Sequence, residues 1–195
     1  MNMKKLFGIL VLSLLLITPS WADDISEFEI EGMSIGDSLL DYVTEEEINL
    51  NLTEPDWRYK LPEQKFIVTI ISKESFETYE YLQIHLRKND KKYIIHSIDG
   101  MKDYENIDEC FKDQKKIAEE LSDTLDYKKK FEQTFKHSGD KTGKSTVSGI
   151  YFVFKSGALG EVTCYDMAPH MNVASGINVA LSTKELWDYF QQFKK

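Results

Sequence analysis

The chain has 195 residues, with 33 acidic against 24 basic side chains and a formal net charge of −9. That length suits one domain with a sizeable core, and so acidic a chain is repelled by nucleic acid and by anionic lipid surfaces. The longest basic run, Lys128-Lys129-Lys130, reads as a solvated face and does not offset that repulsion.

Residues 1–22 read as a cleaved secretory signal peptide. Lys4 and Lys5 make a basic start, Leu6 to Ile17 is apolar apart from Ser13 and Gly8, and small residues stand at Ser20 and Ala22. The apolar run is too short to span a bilayer, and no later segment approaches the ~20 apolar residues that a membrane helix needs. Cleavage after Ala22 leaves a soluble chain with no membrane insertion, addressed to the periplasm or secreted. It also removes two lysines and no acids, so residues 23–195 are more acidic still.

Those residues read as a single globular α+β domain. Phe28 and Ile30 alternate and stop at Gly32, a short strand. Ser34 with Asp37 suggests the cap of a helix carrying Ile35, Leu39, Tyr42 and Val43 on its apolar side. Thr44 followed by Glu45, Glu46 and Glu47 is a second capping box, its acids placed where the helix dipole favours them. Pro55 and Pro62 bracket a loop, and Phe66 to Ser72 is a β-branched strand. Leu82, Ile84 and Leu86 alternate with Tyr81, Gln83 and His85; Tyr93 to Asp99 alternates again, with Asn89-Asp90 as a tight hairpin turn.

From Ile107 the period becomes helical, with Cys110, Phe111, Ile117, Ala118, Leu121 and Leu125 sharing one face. Tyr127, Phe131 and Phe135 continue at spacing four, which leaves open one helix or two over residues 106–135. Ile150 to Phe154 and Glu161 to Asp166 read as strands joined at Ser156-Gly157, and Ile177 to Leu181 as another. Ser182, with Glu185 three on, caps a last helix whose apolar face is Leu186, Trp187, Phe190 and Phe193. Strands that meet in hairpins imply an antiparallel sheet of about five to seven strands with helices packed on one face.

The stretch Ser138 to Thr146, SGDKTGKST, invites two chemical readings, and both fail. A phosphate-binding loop needs four residues between its first Gly and Gly-Lys-Ser, then a helix; Gly139 and Gly143 enclose three, and strand composition follows. A penicillin-recognising site needs S-x-x-K and K-T-G on separate elements with S-D-N as a third, whereas here both motifs share Lys141 and S-D-N is missing. The composition is that of an exposed turn, expected to bury little and to be mobile and dispensable.

No G-x-S-x-G, H-E-x-x-H or C-x-x-C occurs, so no catalytic residue, metal or cofactor is assigned. A two-residue turn at Asn89-Asp90 sets His85 opposite Ile94 and Gln83 opposite His96. That makes His85 and His96 diagonal neighbours on one sheet face with Tyr79 and Tyr81, a ligand or metal candidate that lacks a third placed ligand. Cys110 and Cys164 are the two cysteines. An oxidising address, together with helix and strand faces pointing toward each other, predicts a disulfide between them.

Glu29 to Tyr42, EIEGMSIGDSLLDY, followed by TEEEI, resembles the opening of small uncharacterised exported proteins of marine alphaproteobacteria. Their later pattern, strands ending near a Cys and then a capped C-terminal helix, is similar to Gly149 to Phe193. The resemblance covers most of residues 23–195 and implies a periplasmic address without an activity. The expected function is a non-catalytic periplasmic protein that binds a protein partner or a small solute. The alternative is a small cell-envelope hydrolase with a site that no motif marks.

Overall fold

Alternating and β-branched runs fill residues 66–104 and 127–182, and they pair into one antiparallel sheet. The computed structural model describes residue 25 and residues 28–53 and 64–192. The expected leader, the loop from Pro55 to Pro62 and Phe193 lie outside the described residues.

The chain opens with a hairpin of β1 (Glu29–Ile30) and β2 (Met33–Ser34). At its turn the Glu31 carboxylate accepts backbone N–H bonds from Glu77, Thr78 and Tyr79 at 2.9, 2.8 and 3.0 Å, tying the hairpin to a distant loop. Then come α1 (Glu45–Leu50), β3 (Leu52–Thr53), β4 (Phe66–Ile71), β5 (Tyr81–Arg87) and β6 (Ile95–Tyr104). The second half holds α2 (Ile107–Thr124), β7 (Tyr127–Lys136), β8 (Thr146–Phe154), β9 (Leu159–Asp166), β10 (Ser175–Ser182) and α3 (Lys184–Gln191).

The sheet order is β3-β4-β5-β6-β10-β9-β8-β7, with every neighbouring pair antiparallel. Two meanders meet where β10 lies against β6, and α2 carries the chain across the sheet from β6 to the far edge at β7. This is the expected α+β architecture, with seven long strands and the two-residue β3 at one edge.

The face under α2 is the main core. Leu82, Ile84 and Leu86 of β5, Ile98 of β6, Val162 of β9 and Phe152 of β8 are fully buried there. Cys110 on α2 is bonded to Cys164 on β9, Cα to Cα 6.1 Å, as the facing directions predicted. One turn on, Gln114 is buried and its amide nitrogen donates to the carbonyls of Ser148 and Val162 at 2.6 and 2.8 Å, fastening the helix to two strands. The C-terminal helix, α3, packs on the opposite face, so the helices do not all lie on one face as expected; there Leu186 and Tyr189 enclose Phe66 in a small separate core.

Three local expectations are corrected. Residues 34–43 are not an α-helix: Ser34 pairs in β2, and only a 3-10 turn at Leu39–Asp41 follows, capped by Ser38. Residues 127–135 are strand, so the helix is one and ends at Thr124. Thr183, not Ser182, caps α3, because Ser182 is held in the sheet opposite Ser97. The Thr44–Glu47 capping box forms in full.

Candidate functional site

The sheet face opposite α2 carries the polar side chains, and their partners follow from the β5–β6 register. The connection between these strands is longer than two residues. Asp90 accepts N–H bonds from Lys92 (2.9 Å) and Ile94 (3.1 Å), and Asn89 and Tyr93 both take positive φ. Pairing therefore sets His85 opposite Ser97 and Gln83 opposite Asp99, not Ile94 and His96 as the two-residue turn implied. His96 falls in the register shift, and its ring packs on Phe66, with Nδ1 3.9 Å from the Glu185 carboxylate. His85 packs against Phe190 instead, so the two histidines do not converge on one ligand. Tyr79 is not on this face either: its ring lies against Gly100, where an added Cβ would come within 2.6 Å. Among the described residues no group of three His, Cys, Asp or Glu side chains could hold a metal ion.

What the register does assemble is a buried carboxyl that sequence reasoning missed. Asp99 accepts from Ser97 Oγ (2.8 Å) and Gln83 Nε2 (3.1 Å), and His85 Nδ1 stands 3.9 Å away. Ser97 Oγ also lies 2.9 Å from Ser182 Oγ. Burial pushes the Asp99 carboxyl up to about 6, against the pull of its bonds from Ser97 and Gln83. Serine, histidine and aspartate are all present, but Ser97 directs its proton to the carboxylate and not to an imidazole base. A nucleophile needs the reverse arrangement. Burial, with Arg87 adding to it, also lowers the His96 imidazole pKa, while Glu185 opposes.

The loop at 138–146 also departs from what its composition implied. It does bury side chains: Asp140 and Ser145 are enclosed. Asp140 accepts from the backbone N–H groups of Thr142 (2.8 Å), Lys144 (3.1 Å) and Ser145 (2.8 Å), and from the hydroxyls of Thr142 (2.7 Å) and Ser145 (2.8 Å). His170 Nε2, brought by the 3-10 turn Pro169–Met171, adds a contact at 3.0 Å. Enclosure alone would raise this carboxyl, yet the bonds from Thr142 and Ser145 outweigh it and hold Asp140 far below the usual carboxylate range. Every acceptor position is used within the turn, so the stretch is neither a phosphate cradle nor a reactive site but a turn built around an anion.

Lys141 and Lys144 are exposed. Replacing both by Ala is expected to change unfolding free energy by no more than about 0.5 kcal/mol. Asp140→Ala, which strands the buried Ser145 N–H and hydroxyl, is expected to lower the urea midpoint clearly; equal midpoints for the two variants in urea titrations would contradict this account of the turn.

A shallow cleft opens on the same sheet face where β5, β6, β10 and β9 end. Tyr81, Met101, Tyr165 and Met167 line it, with Asp103 and the exposed Val173. Its floor depends on Gly176, where a Cβ would come within 2.7 Å of the Lys102 carbonyl oxygen. Burial first, and Glu80 second, raise the Asp103 carboxyl; burial, Asp103 and Glu80 raise the Tyr81 hydroxyl.

No family model, no curated protein and no solved structure matches this chain.

Proposed function

We propose that this is an exported, non-catalytic binding protein that takes a protein partner or a small solute in the cleft between Tyr81 and Tyr165. The observation that carries the reading is the cleft itself, two tyrosines and two methionines over a glycine floor with one carboxylate beside them. Flat aromatic and flexible sulfur-bearing side chains give contact area to an incoming group without committing to chemistry on it. Export is supported by the leader-like residues 1–22 and by the Cys110–Cys164 bridge, since disulfides persist in oxidising compartments. No helix among the described residues is long and apolar enough to cross a membrane. Repulsion from its net negative charge disfavours nucleic acid as the ligand.

The test is a photo-crosslinking side chain at Val173 in the exporting cell, with identification of what is captured. Val173 is 60% exposed, so the probe itself is expected to leave stability within about 0.5 kcal/mol. Capture is expected to be lost when a charge is set into the cleft lining by Met167→Asp. The hydrolase alternative makes the opposite demand. Turnover of an ester, glycoside, peptide or phosphate substrate that is lost on Ser97→Ala would overturn the binding reading.

A further inference from the structure

We infer that the outer edge of β7 is a docking edge for an extended, acidic polypeptide segment of another protein. The two edges of this sheet are built differently. β3 is two residues long and adjoins α1, with the Ile70 N–H donating to the Asn51 carbonyl just beyond that helix. Such shortening is how sheets avoid pairing with other chains. β7 is ten residues long, pairs only with β8 among the described residues, and keeps unbroken register from Lys129 to Lys136. It contains no proline, and Gln133 to Lys136 are all exposed.

The charge on this edge selects its occupant. Lys128, Lys129, Lys130 and Lys136 stand against the single acid Glu132, in a chain whose net charge is −9. Lysines at an edge oppose pairing with a second copy, which would bring the same positive charges alongside, and the same field attracts a strand rich in Glu or Asp. Lys130 is already held by the Ser122 hydroxyl at 2.7 Å; Lys128, Lys136 and Lys129, whose ammonium rests over the Phe131 ring at 5.0 Å, remain to meet the incoming acids. Phe131, stacked on Tyr151 with ring centroids 5.0 Å apart, and Phe135, 42% exposed, share the cleft's face of the sheet. They offer apolar contact to alternate residues of an added strand, while backbone bonds supply the register.

This deepens the binding-protein reading and rests on it, but the two can fail separately. The probe is a capped ten-residue peptide of alternating Glu and Val, titrated into the isotope-labelled, disulfide-intact full chain, with a Lys–Val peptide as control. The expected result is amide shifts and slowed exchange confined to residues 127–136, weakened by salt. Affinity should fall about tenfold when Lys128, Lys129 and Lys136 are changed to Gln. Equal binding of the Lys–Val peptide, shifts centred on Tyr81 and Val173, or a dimer of the chain formed through β7 would each overturn the proposed edge. The last two outcomes leave the binding role standing. Absence of capture from Val173 with β7 shifts intact removes the cleft and keeps the edge.

Discussion

Reducing the Cys110–Cys164 bridge, or replacing both residues by Ala, is expected to lower stability by about 4 kcal/mol, on the chain-entropy estimate for a separation of 54 residues. The position of the bridge gives that figure its consequence. Cys110 begins the buried stripe of α2 and Cys164 lies on β9, so the bond joins the crossover helix to the middle of the second meander. Without it, the unfolded chain gains the freedom of the whole segment that includes β7 and β8, while the folded chain keeps the packing of Ile107, Phe111, Ile117 and Leu121. The fold should therefore survive at low temperature and melt roughly 10 °C lower. Thermal unfolding followed by circular dichroism, with and without reductant, checks this. A shift under about 2 °C would show that α2 is held by its apolar face and by Gln114 alone.

Local signals were legible and register was not. The Thr44–Glu47 box could be read because a cap involves only residues three apart. The disulfide could be read because a leader-like opening and the facing directions of helix and strand are both visible in the sequence. Residues 127–135 misled because spacing four fits a helix face and equally one face of a regular strand; a register shift after Tyr127 then sets its ring against Phe152 while Phe131 stacks on Tyr151. The three lysines between Tyr127 and Phe131 made the segment look like a solvated helix, whereas they stand on an exposed sheet edge. Ser34 and Ser182 are capping residues by type no worse than Ser38 and Thr183, and only their pairing in sheets excluded them.

The candidate site was harder, because each part depends on a turn. Asp90 gathers two backbone N–H groups and lengthens the β5–β6 connection. That choice sets Asp99 beside Gln83 and removes His96 from the pair that the sequence suggested. Nothing in the sequence singles out Gly176; its role in the cleft exists only once the Lys102 carbonyl of the neighbouring strand lies beside it. Asp140 was visible as a turn residue with Thr142 and Ser145 in local reach, but its contact with His170 needed the return of the chain 30 residues later.

Asp99→Asn is expected to stabilise the protein by about 2 kcal/mol at pH 7.5 and to give no gain at pH 4. The folded carboxyl titrates near 6 against an ordinary value of 3.8. The native state therefore binds the proton more tightly than the unfolded chain, and stability falls as pH rises from about 4 to 6 and stays low above that. The difference corresponds to about 3 kcal/mol. Asparagine removes the ionisation; its carbonyl can keep the bond from Ser97, and its amide can donate to Gln83 once that side chain turns over, at a cost of about 1 kcal/mol in imperfect bonding. Asp140 acts in the opposite sense. Its depressed carboxyl contributes stability above the unfolded value and loses it as pH falls toward the acid limit, but it is common to both proteins and cancels in the comparison. His85, 3.9 Å from Asp99, is the titratable neighbour that could mimic the effect, so the pair is measured again in a His85→Gln background. Parallel stability curves for the unsubstituted and Asp99→Asn proteins from pH 4 to 8 in both backgrounds would mean that this carboxylate stays ionised in the fold, with water or His85 compensating its burial.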